Sequence, residues 1–507
     1  VQEFLFNQTN LKPISKLLSA CLLGVLTVPG FAPLYFYPLP LLTLALLSIL
    51  LRQTTSSFQT ILISFSFAMG LFGVGVSWLY ISLHDFGSMP PPLAIIALIL
   101  LCIYLSLFPG LAAGIASIAA LRRPLVWPWI IAALWTLSEW LRGVLFTGFP
   151  WLAVGYSQAP ASPLSGFASI IGVYGVSFLL VLTASWLACW QERWRNWKFG
   201  LPLIAIWLVG WGLHQVSWVT PSGEPIKVSL LQGNISQDLK WRPDHTLTSL
   251  QTYLQLVNES STQLIITPEI SFPLFSEELP ASYRSIFADH ARRNQGDVLI
   301  GMVERGATDG EYYNTMFSFG TSPEQKYRKH HLVPFGEYIP LKPVFGRIVE
   351  VLNIPLSDFS RGSKNQQPMQ LAGRQVAINI CYEDVFGEEI IWQLPEAELL
   401  VNVSNDAWFG QSIGPWQHLQ ISQMRALETG RYMLRATNTG VTAIINERGQ
   451  VLQTLEMFTT GVLNGEVQGF SGSTPYVRYG NGPVLSLIGL LLLTGGIMVF
   501  SASRKNL

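Results

Sequence analysis

Seven apolar runs follow one another through the first 220 residues, and an eighth closes the chain. They span roughly 14–30, 33–51, 57–83, 91–121, 125–146, 163–190, 200–219 and 482–502. A helix needs about 20 apolar residues to cross a hydrocarbon layer of about 30 Å, so each run is a candidate membrane span. The fourth and sixth are long enough to tilt or to project beyond the layer. Pro109 and Gly110 fall inside the fourth, which is tolerable where neighbouring helices restore the backbone bonds. Half of the residues are hydrophobic and only 12% are charged, against about 25% in soluble domains. The expected architecture is a multi-span α-helical membrane domain of about eight helices with a soluble domain inserted before the last one. Residues 12–219 carry seven spans, 220–480 the soluble block, and 482–502 the eighth span. Residues 1–11 are read as an appended or processed end and not as a signal peptide, since no small-residue cleavage site follows them.

Basic residues set the expected orientation. Lys12 and Lys16 precede the first span, Arg52 follows the second, and Arg122 and Arg123 follow the fourth. Arg193, Arg195 and Lys198 follow the sixth, and Arg504 and Lys505 the eighth. All fall on one side if every run crosses, while the short opposite loops 29–33 and 84–90 carry no Lys or Arg. Both termini are therefore expected to be cytoplasmic and the soluble block to lie outside. A formal net charge of zero with no basic run argues against nucleic acid. Four cysteines without paired spacing exclude a disulfide framework and a CxxC metal site.

The block 220–480 alternates buried-strand runs (226–234, 263–269, 297–304, 375–383, 399–406) with helical stretches at 246–259, 280–295 and 415–435. That alternation predicts an α/β domain. VTAIINERGQVLQTL (441–455) reads as a hairpin, which favours a two-sheet sandwich over a purely parallel sheet. Several strand ends carry a polar group where a buried strand can hold it rigidly: Glu269 after LIITP, Lys329 in QKYRKHH, and Cys381 after VAINI. Cys381, in NICYEDVFGEE, is the one cysteine outside an apolar span. A thiol attacks only as thiolate, so it needs a base or a cation. His330, His331 and His418 could serve as in Cys–His pairs, or a carboxylate could take the proton; spacing alone does not choose.

The strings PE (268–269), YRKHHLVPFGEYIP (327–340), ICYED (380–384) and SNDAWFG (404–410) together resemble the carbon–nitrogen hydrolase, or nitrilase, superfamily. The longer strings GNISQDLKW (233–241), SNDAWFGQSIGPWQHLQ (404–420) and LRGVLFTGFPWLAVGYSQ (141–158) are similar to those of the bacterial apolipoprotein N-acyltransferases, and this resemblance extends over nearly the whole chain. It implies an α-β-β-α sandwich with a Glu–Lys–Cys triad: Glu269 as general base, Lys329 as oxyanion-stabilising lysine, Cys381 as nucleophile. Glu337 and Glu383 match supporting acids, and Trp241 and Tyr382 match aromatic active-site residues. Asn314, in YYNT, falls in a structural string, and the histidines beside Lys329 become structural. PEISFP around Glu269 departs from the commonest form but keeps the Pro-Glu pair.

The resemblance also implies the chemistry. A phospholipid is the acyl donor, an acyl-thioester the intermediate, and the N-terminal amine of a diacylglyceryl apolipoprotein the acceptor. No metal, nucleotide or other cofactor is implied. The implied location is a bacterial inner membrane with the catalytic domain in the periplasm. A membrane-tethered amidase would use the same triad with water as acceptor, but would not need eight spans and TGFPW. A transporter would need ionisable residues or repeats that the spans lack.

Both lipid substrates are anchored by acyl chains. Drawing a chain of about sixteen carbons into water would cost on the order of 12 kcal/mol, so the thiol is expected near the bilayer surface. Segment 335–360 reads as a lid on the bilayer, with Phe345, Ile348, Val349 and Leu352 toward lipid. Glu139 and Arg142, three apart on the fifth span, are intramembrane ions and so candidates for headgroup binding or for a salt bridge with each other. Trp151, in GFPW, is a candidate for the lipid entry route or the interfacial aromatic belt.

Overall fold

The computed structural model describes residues 12–504, apart from 121, 122, 124, 191–196, 241 and 341–357. Helices stand at all eight apolar runs: α1 (Pro13–Thr27), α2 (Pro38–Arg52), α3 (Ser57–Gly75), α4 (Pro91–Ala120), α5 (Trp127–Val144), α6 (Ala168–Trp190) and α7 (Leu201–Leu213), and, at the C-terminal end, Gly482–Arg504. Five stretches, Pro13–Gly30, Ser57–Gly75, Pro91–Ile118, Trp127–Thr147 and Pro163–Cys189, are long and apolar enough to cross a membrane. Leu18, Leu22, Ile118, Leu208, Trp211 and Leu493 are among the large apolar side chains exposed on these helices. An apolar exterior of this extent is that of a protein solvated by lipid, and the chain is a multi-pass membrane protein.

The third run is shorter than its hydropathy suggests. Helix α3 stops at Gly75, and the chain turns through Leu79–Ile81 and a wider helical turn at Ser82–Phe86. The sixth run opens as a 3-10 turn at Pro163–Phe167, and α6 then breaks at Gly172, whose φ is +63°. Only glycine adopts that conformation cheaply, and a Cβ there would also strike the Tyr476 ring at 2.3 Å. Lys16 Nζ donates to Gln53 O (3.2 Å), so the start of α1 and the end of α2 lie together. The opposite ends, which hold Ala32, Gly75 and Ala159, meet the α/β part.

The α/β part holds two six-stranded sheets, ordered β12-β1-β2-β3-β4-β5 and β11-β10-β9-β8-β7-β6. The first contains β1 (Val219–Gln232), β2 (Leu264–Ile266), β3 (Asp297–Arg305), β4 (Tyr312–Gly320), β5 (Lys326–Arg328) and β12 (Gly461–Gly472). The second contains β6 (Met369–Leu371), β7 (Arg374–Ile380), β8 (Leu399–Ser404), β9 (Met433–Thr437), β10 (Ala443–Ile445) and β11 (Val451–Thr454). At the centre of each sheet three strands run parallel, β1-β2-β3 and β7-β8-β9, with antiparallel strands outside them. The expected sandwich and the hairpin β10–β11 are both present.

Alternation along the strands builds three layers of core. Val376, Ile378, Ile380, Leu399, Val401 and Val403 face the first sheet's Val228, Leu230, Leu264 and Ile266. Ile265, Val298 and Ile300 point outward to α8 (Pro243–Glu259) and α9 (Ala281–Arg293). Ala377 and Leu400 point outward on the other side, to α10 (Gly414–Thr429). The helix predicted over 415–435 ends at Thr429, because Gly430 turns left-handed (φ +65°) and the chain enters β9. Such a glycine is the usual helix stop. The helix Gly482–Arg504 becomes α11 in this numbering.

Candidate active site

The carboxyl ends of the parallel strands gather the predicted residues, as expected for ligand sites in α/β sheets. Glu269 stands three residues beyond β2 and is buried. Its Oε1 accepts from Lys329 Nζ (3.1 Å) and Asn314 Nδ2 (2.7 Å), and its Oε2 from the Asn405 main-chain N–H (2.9 Å). Lys329 follows β5 directly, is 1% exposed, and also donates to Glu337 Oε1 (2.8 Å). Glu337 is held in turn by Asn314 Nδ2 (3.3 Å) and the Val333 N–H (2.8 Å). Burial would raise the Glu269 carboxyl, but Lys329 and then Lys240 outweigh it and hold the group below the usual range. Burial would lower the Lys329 ammonium, but Glu269 and Glu337 hold it well above its ordinary value.

Cys381 opens a 3-10 turn, Cys381–Val385, at the end of β7. Its φ is +54°, a left-handed conformation that costs a side-chain-bearing residue on the order of 1 kcal/mol. Neighbours over-determine it. The Cys381 carbonyl accepts from Asn402 Nδ2 (3.1 Å) and lies 3.3 Å from His418 Nε2. Burial pushes the thiol well above its ordinary pKa, Glu269 adds to that, and Lys329 opposes it. The resting group is thus a neutral thiol beside an ionised carboxylate and an ammonium, which is the arrangement that carboxylate-assisted proton removal requires.

Glu383 joins the two halves of this site. Its carboxylate accepts from the Ile380 N–H (2.7 Å) at the cysteine turn, and from the His330 N–H (2.6 Å), the His331 N–H (3.1 Å) and Tyr327 Oη (3.1 Å) around Lys329. Tyr382 Oη donates to Gly148 O (3.0 Å), and His331 Nε2 lies 2.9 Å from Thr147 O. The cysteine turn therefore rests on the loop that follows α5. In that loop Phe146 is 79% exposed, beside exposed Val144 and Leu145. The histidines are engaged elsewhere. His330 Nδ1 meets Gly362 O (2.8 Å), His331 Nδ1 meets Glu389 (2.9 Å), and His418 lies between Asp384 and Asp406 (2.9 Å each).

Trp151 is 1% exposed and donates to Gln417 Oε1 (2.7 Å), so it is a buried contact between α10 and the helices and not part of an outer aromatic belt. Glu139 and Arg142 form no ion pair within 4 Å of each other. Glu139 Oε1 accepts from Trp135 Nε1 (3.0 Å) and the Val154 N–H (2.9 Å), while Arg142 Nη1 donates to Phe149 O and Trp151 O (2.6 Å each). Each thereby supports the irregular chain after α5, a better use of a buried charge than a pair three residues apart on one helix. Both line a small cleft with Leu71, Phe72 and Trp135. Trp241, Phe345, Ile348, Val349 and Leu352 lie outside the described residues.

Sequence reading missed Lys240, Asn405 and the direct contact of Asn314 with Glu269. Asn314 was visible as a polar residue in a buried strand run, and Lys240 as a lysine in GNISQDLKW. Two families share the chain between them. The carbon–nitrogen hydrolase family matches residues 227–476, and the apolipoprotein N-acyltransferase N-terminal domain matches residues 23–186. An apolipoprotein N-acyltransferase of Nitrosomonas europaea is 65% identical, over 97% of this chain and 99% of the relative. One from Chromobacterium violaceum is 43% identical, over 94% and 92%. A solved carbon–nitrogen hydrolase superfamily protein from Xanthomonas campestris aligns at 16% identity and a TM-score of 0.37, over 53% of this chain and 97% of that one. Full-length identity at this level, with helices and sandwich both matched in order, leaves one conclusion: the chain belongs to the apolipoprotein N-acyltransferase family.

Proposed function

We propose that the lipoprotein N-acylation characteristic of this family proceeds here by two transfers through Cys381, with a membrane phospholipid as donor and the amine of a diacylglyceryl-cysteine as acceptor. The observation that carries this reading is the buried ion cluster of Lys329, Glu269 and Glu337 beside a neutral thiol. In the first transfer Glu269 takes the thiol proton as Sγ attacks the ester carbonyl. The tetrahedral oxyanion is held by the N–H of Lys329 not given to Glu269 or Glu337 and by the Tyr382 main-chain N–H. Collapse breaks the C–O bond, the departing lysophospholipid oxygen regains the proton from Glu269, and an acyl-thioester remains. In the second, the acceptor amine attacks the thioester, Glu269 accepts an amine proton, the C–S bond breaks, and the amide leaves with the thiol regenerated. A thioester yields its acyl group to an amine more readily than an oxygen ester does, which is the use of sulfur here.

Position fits the substrates. The cysteine turn is tied through Tyr382 to the loop after α5, where Leu145 and Phe146 are exposed beside exposed Val144 at the helix end, which supports access to the thiol from an apolar, lipid-compatible surface. The basic ends at Lys16 and Arg52 are at the far ends of their helices, which supports cytoplasmic termini and an extracytoplasmic site. Residues 12–219 and 482–502 would form the membrane domain and 220–480 the catalytic one. Incubation with phospholipid vesicles alone should add one fatty acyl mass to the intact protein, removable by neutral hydroxylamine and lost in Cys381→Ala. A wild-type protein that stays unmodified while still N-acylating would refute the thioester route.

A further inference from the structure

Lys240 ends a one-turn helix, Gln237–Lys240, and is 4% exposed. Its Nζ donates to the main-chain carbonyl of Glu269 (3.2 Å), its one hydrogen bond among the described residues, and no described carboxylate lies within 4 Å. Other buried cations are better satisfied. Lys329 has two carboxylates, Arg425 has Glu428, and Arg435 has Asp384 and Asp406. Arg142 and Arg431 lack a carboxylate but are each held by two or more carbonyls. A buried ammonium with a single carbonyl is costly unless the surrounding charge requires it.

The charge around Glu269 supplies that requirement. The groups facing it are Lys329, Lys240, Glu337 and Cys381, with neutral donors from Asn314 and Asn405. Glu269, Glu337 and Lys329 alone sum to −1, with Asp406 toward Cys381 and Glu383 toward Lys329 as further acids, and Lys240 offsets that negative charge. The sum does not change when the thiol proton moves to Glu269, since one anion replaces another. The same short helix is tied to the other side of the base, because Gln237 Oε1 accepts from Asn405 Nδ2 (2.7 Å) and the Asn405 N–H holds Glu269 Oε2.

We propose that Lys240 is a positioning residue of the acyl transfer, a second buried ammonium that fixes Glu269 through its main-chain carbonyl and supplies the positive charge that keeps the carboxylate free to accept a proton. This rests on Glu269 acting as the base. A uniformly structural lysine would affect rate at all pH values alike, whereas loss of this charge makes Glu269 harder to ionise. Because the base works only when deprotonated, the acid limb of the rate must then move to higher pH.

The test is the pH dependence of acyl-enzyme formation, measured by intact mass on the full-length protein with phosphatidylethanolamine vesicles. Lys240→Gln keeps a donor for the carbonyl but not the charge, Lys240→Met removes both, and Lys240→Arg keeps the charge. The Gln and Met variants should show the acid limb raised by about one pH unit, so that thioester formation is slowed by up to about tenfold on that limb and far less at pH 7, while the Arg variant keeps the wild-type limb. Either uncharged variant, folded by its melting transition, with the wild-type limb would overturn the proposal; so would an Arg variant whose limb moves as far as that of Gln. Absence of acyl-enzyme in the wild type would instead overturn the thioester reading.

Discussion

The sheet that carries Glu269 and Lys329 is covered by α8 and α9, whose outer faces meet water, whereas the sheet that carries Cys381 is covered by α10, which has almost no exposed residue. Helix α10 is nevertheless rich in polar side chains. Gln417 accepts from Trp151 and Trp78 and donates to Gly75 O; Gln420 accepts from the Ala32 N–H and donates to Ala159 O; Gln423 accepts from Tyr35 Oη; Glu428 accepts from the Val173 N–H. These partners sit in loops and at breaks of the membrane helices, where backbone groups lack a helical mate. One outer layer therefore ends the domain toward solvent, and the other completes the helical bundle. Cys381, the proposed acyl carrier, belongs to the sheet joined to the bundle, while Glu269 and Lys329, its proposed base and ammonium, belong to the sheet on the water side.

Four experiments would break or sharpen that contrast. The proposed mechanism draws on both sheets, so Cys381→Ala and Glu269→Gln should each lower acyl-enzyme formation by about 10³-fold or more, measured by mass after vesicle incubation. If only the cysteine mattered, the division of labour between sheets would fall. Next is the charge network under α10. Burial and Arg435 oppose a charge on His418, but Asp384 and Asp406 prevail and raise it to about 9. Its contribution is complete below the unfolded value of about 6.5 and disappears as pH rises through about 9, on the order of 3 kcal/mol in all. Melting of the wild type should fall over that window and be flatter in His418→Gln. Third, Gln417→Leu strands two indole N–H groups and a carbonyl and should cost about 1–3 kcal/mol. Gln251→Ala on the exposed face of α8 should stay within about 0.5 kcal/mol. Equal melting losses would erase the difference between the two layers. Smallest is the exposed pair Arg305–Glu278 on the water side, where Arg305→Ala should change stability by at most about 1 kcal/mol.

Much of this was legible in the residues. Spans announce themselves because a lipid-facing helix needs only length and apolarity, and Glu269, Lys329 and Cys381 were marked by strand ends and by resemblance. What escaped depends on partners distant in sequence. Helix α10 was overextended because 430–435 is as polar and mixed as the helix before it, and only Gly430 separates them. Its glutamines look like surface residues until the breaks at Gly75 and Gly172 are placed against them. Trp151 reads equally well as a belt residue until Gln417 is found on its indole nitrogen. Glu139 and Arg142 have helical spacing for a pair, but the loop 149–154 offers both better partners. Lys240 had no local signal beyond its string, since its role depends on a carbonyl 29 residues away.

Glu383 has a mechanical consequence. It takes four hydrogen bonds, one from the turn that bears Cys381 and three from the segment that bears Lys329. Those segments extend different sheets, so sliding one sheet over the other must tear this junction before it alters the gap between sulfur and nitrogen. Lateral pressure from a lipid or a bulky acceptor can then tilt the reactive centre as one rigid piece, without detuning it.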